Sequence, residues 1–365
     1  MINVEILVVG GGPAGLCAAK AAAALGASVL ICERDEIPGG QLVKQTHKFF
    51  GSRKQYAGDR GIAIGDSLLD EVINDPNIEV MPDTTVIGIY EDGLVLAERS
   101  EKIIKINPRK IIVATGAAEK FLAFPGNDLP GIYGAGAVQT LMNVAGVIPG
   151  ERVLMVGAGN IGLIVSYQLA QAGVETAAVI EGAPTIGGYL VHASKIQRLG
   201  IPVRTGYTIK EAYGDGKVEG AIICRLDPAW NLIKGSEEDI KCDTICLAVG
   251  LTPLTELCWQ AGCEMAFIRE LSGHVPLIDK YLQTTNPKIY VAGDVSGVEE
   301  ASSAMVEGRL AGYSAACSLG YGLDTAPALQ AEAMAELDEL RAGPMSERIR
   351  QGVEKVEKMV AKGGA

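Results

Sequence analysis

Short uncharged runs of aliphatic and β-branched residues alternate along the chain with glycine-rich turns and alanine-rich or amphipathic stretches. That pattern predicts strand–helix–strand units on a parallel sheet rather than a helix bundle or a β-sandwich. Ile6-Leu7-Val8-Val9 runs through Gly10-Gly11-Gly12-Pro13-Ala14-Gly15 into an alanine-rich segment ending near Leu25, which predicts a buried strand, a tight turn and a helix. The design returns 147 residues later, where Val153-Leu154-Met155-Val156 leads through Gly157-Ala158-Gly159-Asn160-Ile161-Gly162 into a second apolar helix. A β-branched strand follows each helix, Ser28–Cys32 and Thr176–Ile180, and each ends on a glutamate, Glu33 and Glu181. These acids lie 23 and 24 residues after the first glycine of their copies. One such glycine triplet is a weak signal; two with strand, helix and acid in register are a strong one.

The residue types follow from what a diphosphate needs. The first glycine makes the turn, the second lets a pyrophosphate approach the backbone, and the third lets the helix pack on the strand. The helix N-terminus then offers N–H groups and partial positive charge. A glutamate at the end of the second strand accepts from the ribose hydroxyls and repels a 2′-phosphate. Glu181 is followed by Gly182, Ala183 and Pro184, with no arginine, which argues for NAD over NADP in the second copy. Two more apolar strands end in a small residue and a glycine, Ile111–Val113 before Ala114-Thr115-Gly116 and Ile245–Val249 before Gly250, and these close the two modules. A last one, Ile289-Tyr290-Val291-Ala292-Gly293-Asp294, puts a carboxylate at the C-terminal end of a strand, where an open α/β sheet binds ligand and a flavin ribityl chain is within reach. A helix is expected after it, around Glu300–Leu319.

Composition narrows the function. With 32 basic and 44 acidic residues the net charge is −12, and aromatics make up 5%, which argues against nucleic acid. Eight cysteines without a C-x-x-C spacing give neither a disulfide framework nor a zinc site, so no metal is assigned and a reducing, cytoplasmic setting is expected. Gly131–Gly150 and Val153–Val174 are uncharged throughout but broken by Gly, Pro, Asn and Gln, so no membrane span is expected. Beyond Ala326 two helical stretches break at Gly343-Pro344. Ile349, Val353, Val356 and Val360 form one apolar stripe that must be covered, by the chain's own sheet or by another subunit.

These motifs resemble the flavoprotein superfamily with two dinucleotide domains, which includes thioredoxin reductase and glutathione reductase. The resemblance spans roughly residues 4–320 and implies an α/β fold: two Rossmann-like three-layer dinucleotide-binding domains, the NAD domain inserted into the FAD domain, plus a helical C-terminal tail. The implied boundaries are 1–118 and 270–325 for FAD, 119–269 for NAD and 326–365 for the tail. FAD would be held by Gly10, Gly12, Pro13, Ala14, Gly15, Glu33, Arg34, the turn Gly39-Gly40-Gln41, Ala114, Thr115, Gly116, Gly293 and Asp294. NAD would be held by Gly157, Gly159, Asn160, Ile161, Gly162, Glu181 and Gly250. Gln41 and His47 are candidates to line the flavin.

Departures from the resemblance redirect the function. Where thioredoxin reductases carry C-x-x-C, this chain has Gly131–Gly150 without cysteine; where glutathione-reductase relatives carry a cysteine pair, it has Val43–Phe50; and no histidine follows His274. These absences argue against disulfide reduction. Phe124-Pro125-Gly126-Asn127-Asp128-Leu129-Pro130-Gly131, Ala135–Gln139 and Glu307-Gly308-Arg309-Leu310-Ala311-Gly312 resemble the nucleotide-binding subunits of multi-subunit amino-acid and amine dehydrogenases: sarcosine oxidase alpha, opine and hydroxyproline oxidase, dye-linked proline dehydrogenase and hydrogen cyanide synthase. The resemblance implies an FAD-dependent oxidoreductase that relays electrons between NAD(H) and FAD in a hetero- or homo-oligomer. Its partners would be a second flavoprotein subunit with the substrate site and a small iron–sulfur protein. Rival readings are a self-sufficient flavin reductase and a flavin-bearing scaffold.

Overall fold

Strand β1 (Ile2–Val9) buries Ile6, Leu7 and Val8 completely, so both of its faces are covered, as expected of a central parallel strand. In this computed structural model, which describes residues 1–49 and 53–363, it leads into α1 (Pro13–Ala24) and β2 (Val29–Cys32). Phe50, at the end of the segment compared above with the glutathione-reductase cysteines, lies outside the described residues. There follow α2 (Gly61–Ile73), β3 (Ile78–Met81), β4 (Thr85–Ile89), β5 (Val95–Arg99) and β6 (Lys102–Val113). After β7 (Ala117–Glu119) come β8 (Ile132–Gly134), α3 (Ala135–Asn143), β9 (Arg152–Val156), α4 (Asn160–Gln171), β10 (Glu175–Glu181), α5 (Leu190–Arg198) and β11 (Val203–Thr205). An antiparallel meander, β12 (Tyr207–Tyr213), β13 (Gly220–Arg225) and β14 (Glu238–Lys241), precedes β15 (Thr244–Leu247). The chain returns through β16 (Leu251–Pro253), α6 (Glu256–Gln260), β17 (Met265–Ile268), β18 (Gly273–Pro276) and β19 (Ile289–Val291) to α7 (Ala301–Ser318), α8 (Ala326–Arg341) and α9 (Glu347–Gly363).

The chain divides into two units, Met1–Ala118 with Leu251–Ala365, and Glu119–Gly250. The return crossing therefore falls after Gly250, not after residue 269. The reason is local: β16 pairs with β7, and Thr115 donates its hydroxyl to the Leu254 carbonyl at 2.7 Å, tying the returning strand to the outgoing one. The C-terminal region from residue 326 to 363 is helical, as α8 and α9, and groups with the first unit.

The first unit holds the parallel order β3-β2-β1-β6 with β19 on the far side of β6, and β5 and β4 continue antiparallel from the long β6. The second holds β11-β10-β9-β15-β8, all parallel. Both sheets reverse direction of growth beside their first strand, so each places a crevice at the C-terminal ends of its central pair. On the first sheet α1 and α7 cross at backbone distance: a Cβ on Gly308 would lie 2.2 Å from the Ala14 carbonyl oxygen, and one on Gly312 2.2 Å from that of Ala18. This close crossing explains the small residues of Glu307–Gly312. The stripe on α9 is covered by its own chain, with Ile349 and Val356 packed against Ile268, Leu271 and Val275. Among the described residues no helix is long and apolar enough to cross a membrane.

Candidate dinucleotide sites

The two glycine loops repeat one another bond for bond. Gly10 N–H donates to the Cys32 carbonyl (2.9 Å) as Gly157 N–H does to Ile180 (2.7 Å); Ala114 N–H meets the Val9 carbonyl (2.8 Å) as Ala248 N–H meets Val156 (2.7 Å). Each acid bridges its own turn and the loop. Glu33 accepts from Gly11 N–H (2.6 Å) and Asp35 N–H (2.9 Å), and Glu181 from Ala158 N–H (2.9 Å) and Ala183 N–H (2.9 Å). A carboxylate has about four acceptor directions, so each retains capacity for a ribose.

The glycines sort by what their missing side chains leave room for. A Cβ on Gly10 would lie 2.5 Å from the Ala114 oxygen, and one on Gly157 2.3 Å from the Ala248 oxygen; on Gly15 and Gly162 the clash, at 1.8 and 2.0 Å, is with the oxygen of Gly10 and Gly157. These four are required by packing. Gly12 and Gly159 are not. Their backbones (φ −76°, ψ −175° and φ −73°, ψ 179°) suit any residue, and a Cβ would meet only Gly40 Cα at 3.7 Å in the first case and nothing within 4 Å in the second. Both precede a helix with no side-chain cap. The space a side chain would fill lies where a phosphate would rest against a helix N-terminus, so the donor sets fit two dinucleotides.

A glycine pair folds over each loop, and only one was picked out from the sequence. Gly39 N–H donates to the Gly11 oxygen at 2.8 Å; Gly188 N–H donates to the Ala158 oxygen at 3.0 Å. Ile186-Gly187-Gly188-Tyr189-Leu190 stands 31 residues after Gly157 for Gly188, as Pro38-Gly39-Gly40-Gln41-Leu42 stands 29 after Gly10 for Gly39, so the offset already used for the acids would have found it. Asn160 reinforces the second turn by accepting from Tyr189 N–H at 2.8 Å; Ile161 is half-buried beside it on α4.

The other expected cofactor residues are spread over both units. Pro13 and Ala14 open α1. Gly116 adopts φ +73° and Gly250 φ +107°, at matching positions after β6 and β15. Gln41 is exposed, Arg34 is exposed beside Asp35 at 3.6 Å, and His47 stacks on Phe49 with centroids 6.1 Å apart.

The Gly293–Asp294 segment is held by residues that sequence reasoning missed. Gly293 N–H and the Ser296 hydroxyl donate to Glu307 (2.8 and 3.1 Å), and Glu299 N–H donates to Asp294 (3.2 Å). Arg341, on α8, then bridges the Glu299 and Glu307 carboxylates at 2.5 and 2.6 Å, with all three side chains at most 14% exposed. Burial pushes Asp294 up to about 6 and Glu307 up to about 7, the latter against the pull of Arg341. No local pattern could have signalled Arg341, which lies 34 and 42 residues from its partners.

The sequence profile described as pyridine nucleotide-disulphide oxidoreductase matches residues 4–308. The chain belongs to this family. It is accordingly an FAD-dependent oxidoreductase, since the family binds FAD and NAD(P)H. It is 28% identical over 338 residues to one of the subunits of opine oxidase from Agrobacterium tumefaciens, covering 86% of this chain and 66% of that protein. It is 27% identical over 337 residues to the alpha chain of sarcosine oxidase from a Corynebacterium species, covering 88% of this chain and 33% of that one. The chain thus spans two thirds or less of these relatives. In fold it is similar to the thioredoxin reductase of T. acidophilum, with a TM-score of 0.72, 23% identity, and coverage of 87% of this chain and 99% of that one.

Against that family background the thiols stand out for being unlinked and, apart from half-buried Cys317, buried. All eight cysteines are free. Burial lifts Cys17 and Cys32 to about 12 and Cys242 to about 11, so these thiols stay protonated and unreactive. Cys258 and Cys263 meet across the end of α6: Cys263 N–H donates to the Cys258 carbonyl (3.0 Å) around Gly262 at φ +71°, the geometry of a helix C-cap that brings the two side chains together. Their shared hydrogen bond raises Cys258 and lowers Cys263 to about 7. Neither stands at a nucleotide loop in sequence. Among the described residues no three His, Cys, Asp or Glu side chains converge as a metal set.

Proposed function

We propose that the chain is the nucleotide-binding, electron-transfer subunit of a multi-subunit dehydrogenase for amino acids or secondary amines, with FAD at the first loop and NAD(H) at the second. The observation that carries this reading is the pair Gly12 and Gly159, two glycines that neither conformation nor packing requires, each at the start of a helix beside a ribose-competent acid. When bound, the two cofactors supply a hydride transfer between nicotinamide and flavin; this chain's residues orient them and set the charge around them. Glu181 favours NAD, because its carboxylate is already fixed by two backbone N–H groups and would face a 2′-phosphate with like charge.

The substrate class and the partners rest on the relatives. Both are named as subunits, one of an opine oxidase and one of a sarcosine oxidase, and opines and sarcosine alike contain secondary amines. A second flavoprotein subunit would carry the substrate site, with any iron–sulfur cluster on a further partner. The test is direct: the full chain should purify yellow and should reduce an artificial dye with NADH, and substrate oxidation should require the partner. A colourless protein that cannot take up FAD, or a bound flavin that NADH fails to bleach with the partner present, refutes the reading.

A further inference from the structure

We infer that Trp230 is the adenine platform of the second unit, stacking on the purine of the dinucleotide whose ribose Glu181 receives. The inference rests on the NAD reading of that unit. Trp230 sits at the tip of the loop between β13 and β14. The tip is tightly built: Asp227 Oδ1 accepts from Ala229 N–H and Asn231 N–H, both at 2.8 Å, while Trp230 N–H donates to the Asp227 carbonyl at 2.9 Å. Trp230 itself adopts φ +65°, a left-handed conformation that is costly for a bulky side chain.

The ring gains little burial in return, remaining 64% exposed. Its six-membered ring lies against Gly182, the residue directly after Glu181: a Cβ there would stand 2.7 Å from Cζ3 and 3.2 Å from Cη2. Glycine at 182 therefore admits the indole beside the ribose acid. In a sheet of this type the adenosine end of a dinucleotide reaches the C-terminal end of the second strand, where Glu181 and Gly182 lie. An exposed indole on that backbone-tied tip offers a π-face to a purine, and losing the stack of a base on an aromatic side chain weakens binding by about tenfold or more.

The chain has two tryptophans, so Trp259→Phe leaves Trp230 as the sole indole reporter. FAD-loaded W259F protein is titrated with NAD+, AMP and nicotinamide mononucleotide, following indole fluorescence, with calorimetry in parallel. NAD+ and AMP should quench and the mononucleotide should not. Trp230→Ala should weaken NAD+ and AMP at least tenfold, and Trp230→Phe should restore most of the affinity. Unchanged NAD+ and AMP affinity in W230A, or an indole signal that stays flat while calorimetry reports saturation, overturns the inference. If the wild-type protein binds neither NAD+ nor AMP, the NAD reading falls and this inference with it.

Discussion

Gly159 and Gly162 are three residues apart on one loop, yet the structure assigns them opposite roles, and alanine at each separates the roles. At 162 the new Cβ would stand 2.0 Å from the Gly157 carbonyl oxygen. A carbon–oxygen contact settles at about 3.3 Å, so the start of α4 would have to retreat by roughly 1.3 Å. That movement loosens a helix whose Leu163, Val165 and Leu169 are completely buried. A backbone clash this deep belongs at the upper end of the range for forced repacking, about 3 kcal/mol, and the better helix propensity of alanine offsets about 1 kcal/mol of it, so a net loss of about 2 kcal/mol is expected. In a domain of this size that is a fall of roughly 6 °C in melting temperature. At 159 the Cβ meets nothing within 4 Å and the backbone is already suited to alanine. The fold should lose only the capping preference of glycine over alanine, under about 1 kcal/mol. Its nucleotide should suffer far more, because the methyl group occupies the place of a phosphate: NADH affinity should fall at least tenfold. Differential scanning fluorimetry and isothermal calorimetry with NADH read the two effects separately. Wild-type NADH affinity in G159A would mean that no diphosphate passes over this glycine, and a melting shift as large as that of G162A would mean that the glycine is structural after all.

Three further outcomes follow from the same geometry. Glu181→Arg should shift the NADH/NADPH preference by at least tenfold toward NADPH, and should lower stability by about 1–2 kcal/mol because Ala158 and Ala183 N–H lose their acceptor; an unchanged preference in steady-state assays would remove the ribose assignment. Arg341→Met should leave Glu299 and Glu307 as uncompensated buried carboxylates, costing about 3–5 kcal/mol and releasing FAD on dialysis, while Lys355→Ala, at an exposed position of α9, should retain flavin; equal retention in both would refute the role of Arg341. Asp294 is pushed up to about 6, so between about pH 4 and 6 the folded state holds a proton that the unfolded state releases, and stability falls as pH rises through that window, by at most about 3 kcal/mol. Urea unfolding of the flavin-free protein should therefore show Asp294→Asn gaining on wild type from pH 4 to 6, and a difference that stays constant with pH contradicts the burial of that carboxylate.

What the sequence made legible was whatever a short local pattern dictates. The glycine triplets, the flanking strands and the acids Glu33 and Glu181 are fixed by steric needs within some 25 residues, and all stand where the spacing placed them. Gly187-Gly188 was equally local, but its counterpart Gly39-Gly40 entered through the family resemblance and not through spacing, so the second pair went unmarked. The return crossing at Gly250 was lost because β16 is a three-residue strand, too short to carry a pattern, that is fixed by pairing with the distant β7. Arg341 was lost for a different reason. A buried ion pair across 34 residues has no periodicity, and Arg341 sits in a helix that otherwise reads as an ordinary surface helix.

The duplicated loops make the differences between the units informative. At the sheet position beside the central pair, β19 in the first unit and β8 in the second, the chain turns into a helix in both cases. In the first, the turn presents Asp294, and the hydrogen-bonded, largely buried set of Glu299, Glu307 and Arg341 secures it. In the second, the N-terminus of α3 is closed by the chain's own Glu119, which accepts from Gly136 N–H at 2.6 Å and Ala137 N–H at 3.1 Å. On the proposed reading the first site would grip a ligand at the phosphates, at one ribose and again at Asp294, whereas in the second the corresponding helix start already hydrogen-bonds the chain's own Glu119. Dissociation slows with each anchor that must break at once, so the first arrangement suits a resident group and the second one that must come and go. This asymmetry supports FAD at Gly10–Gly15 and an exchanging NAD(H) at Gly157–Gly162, and it does so without reference to any relative.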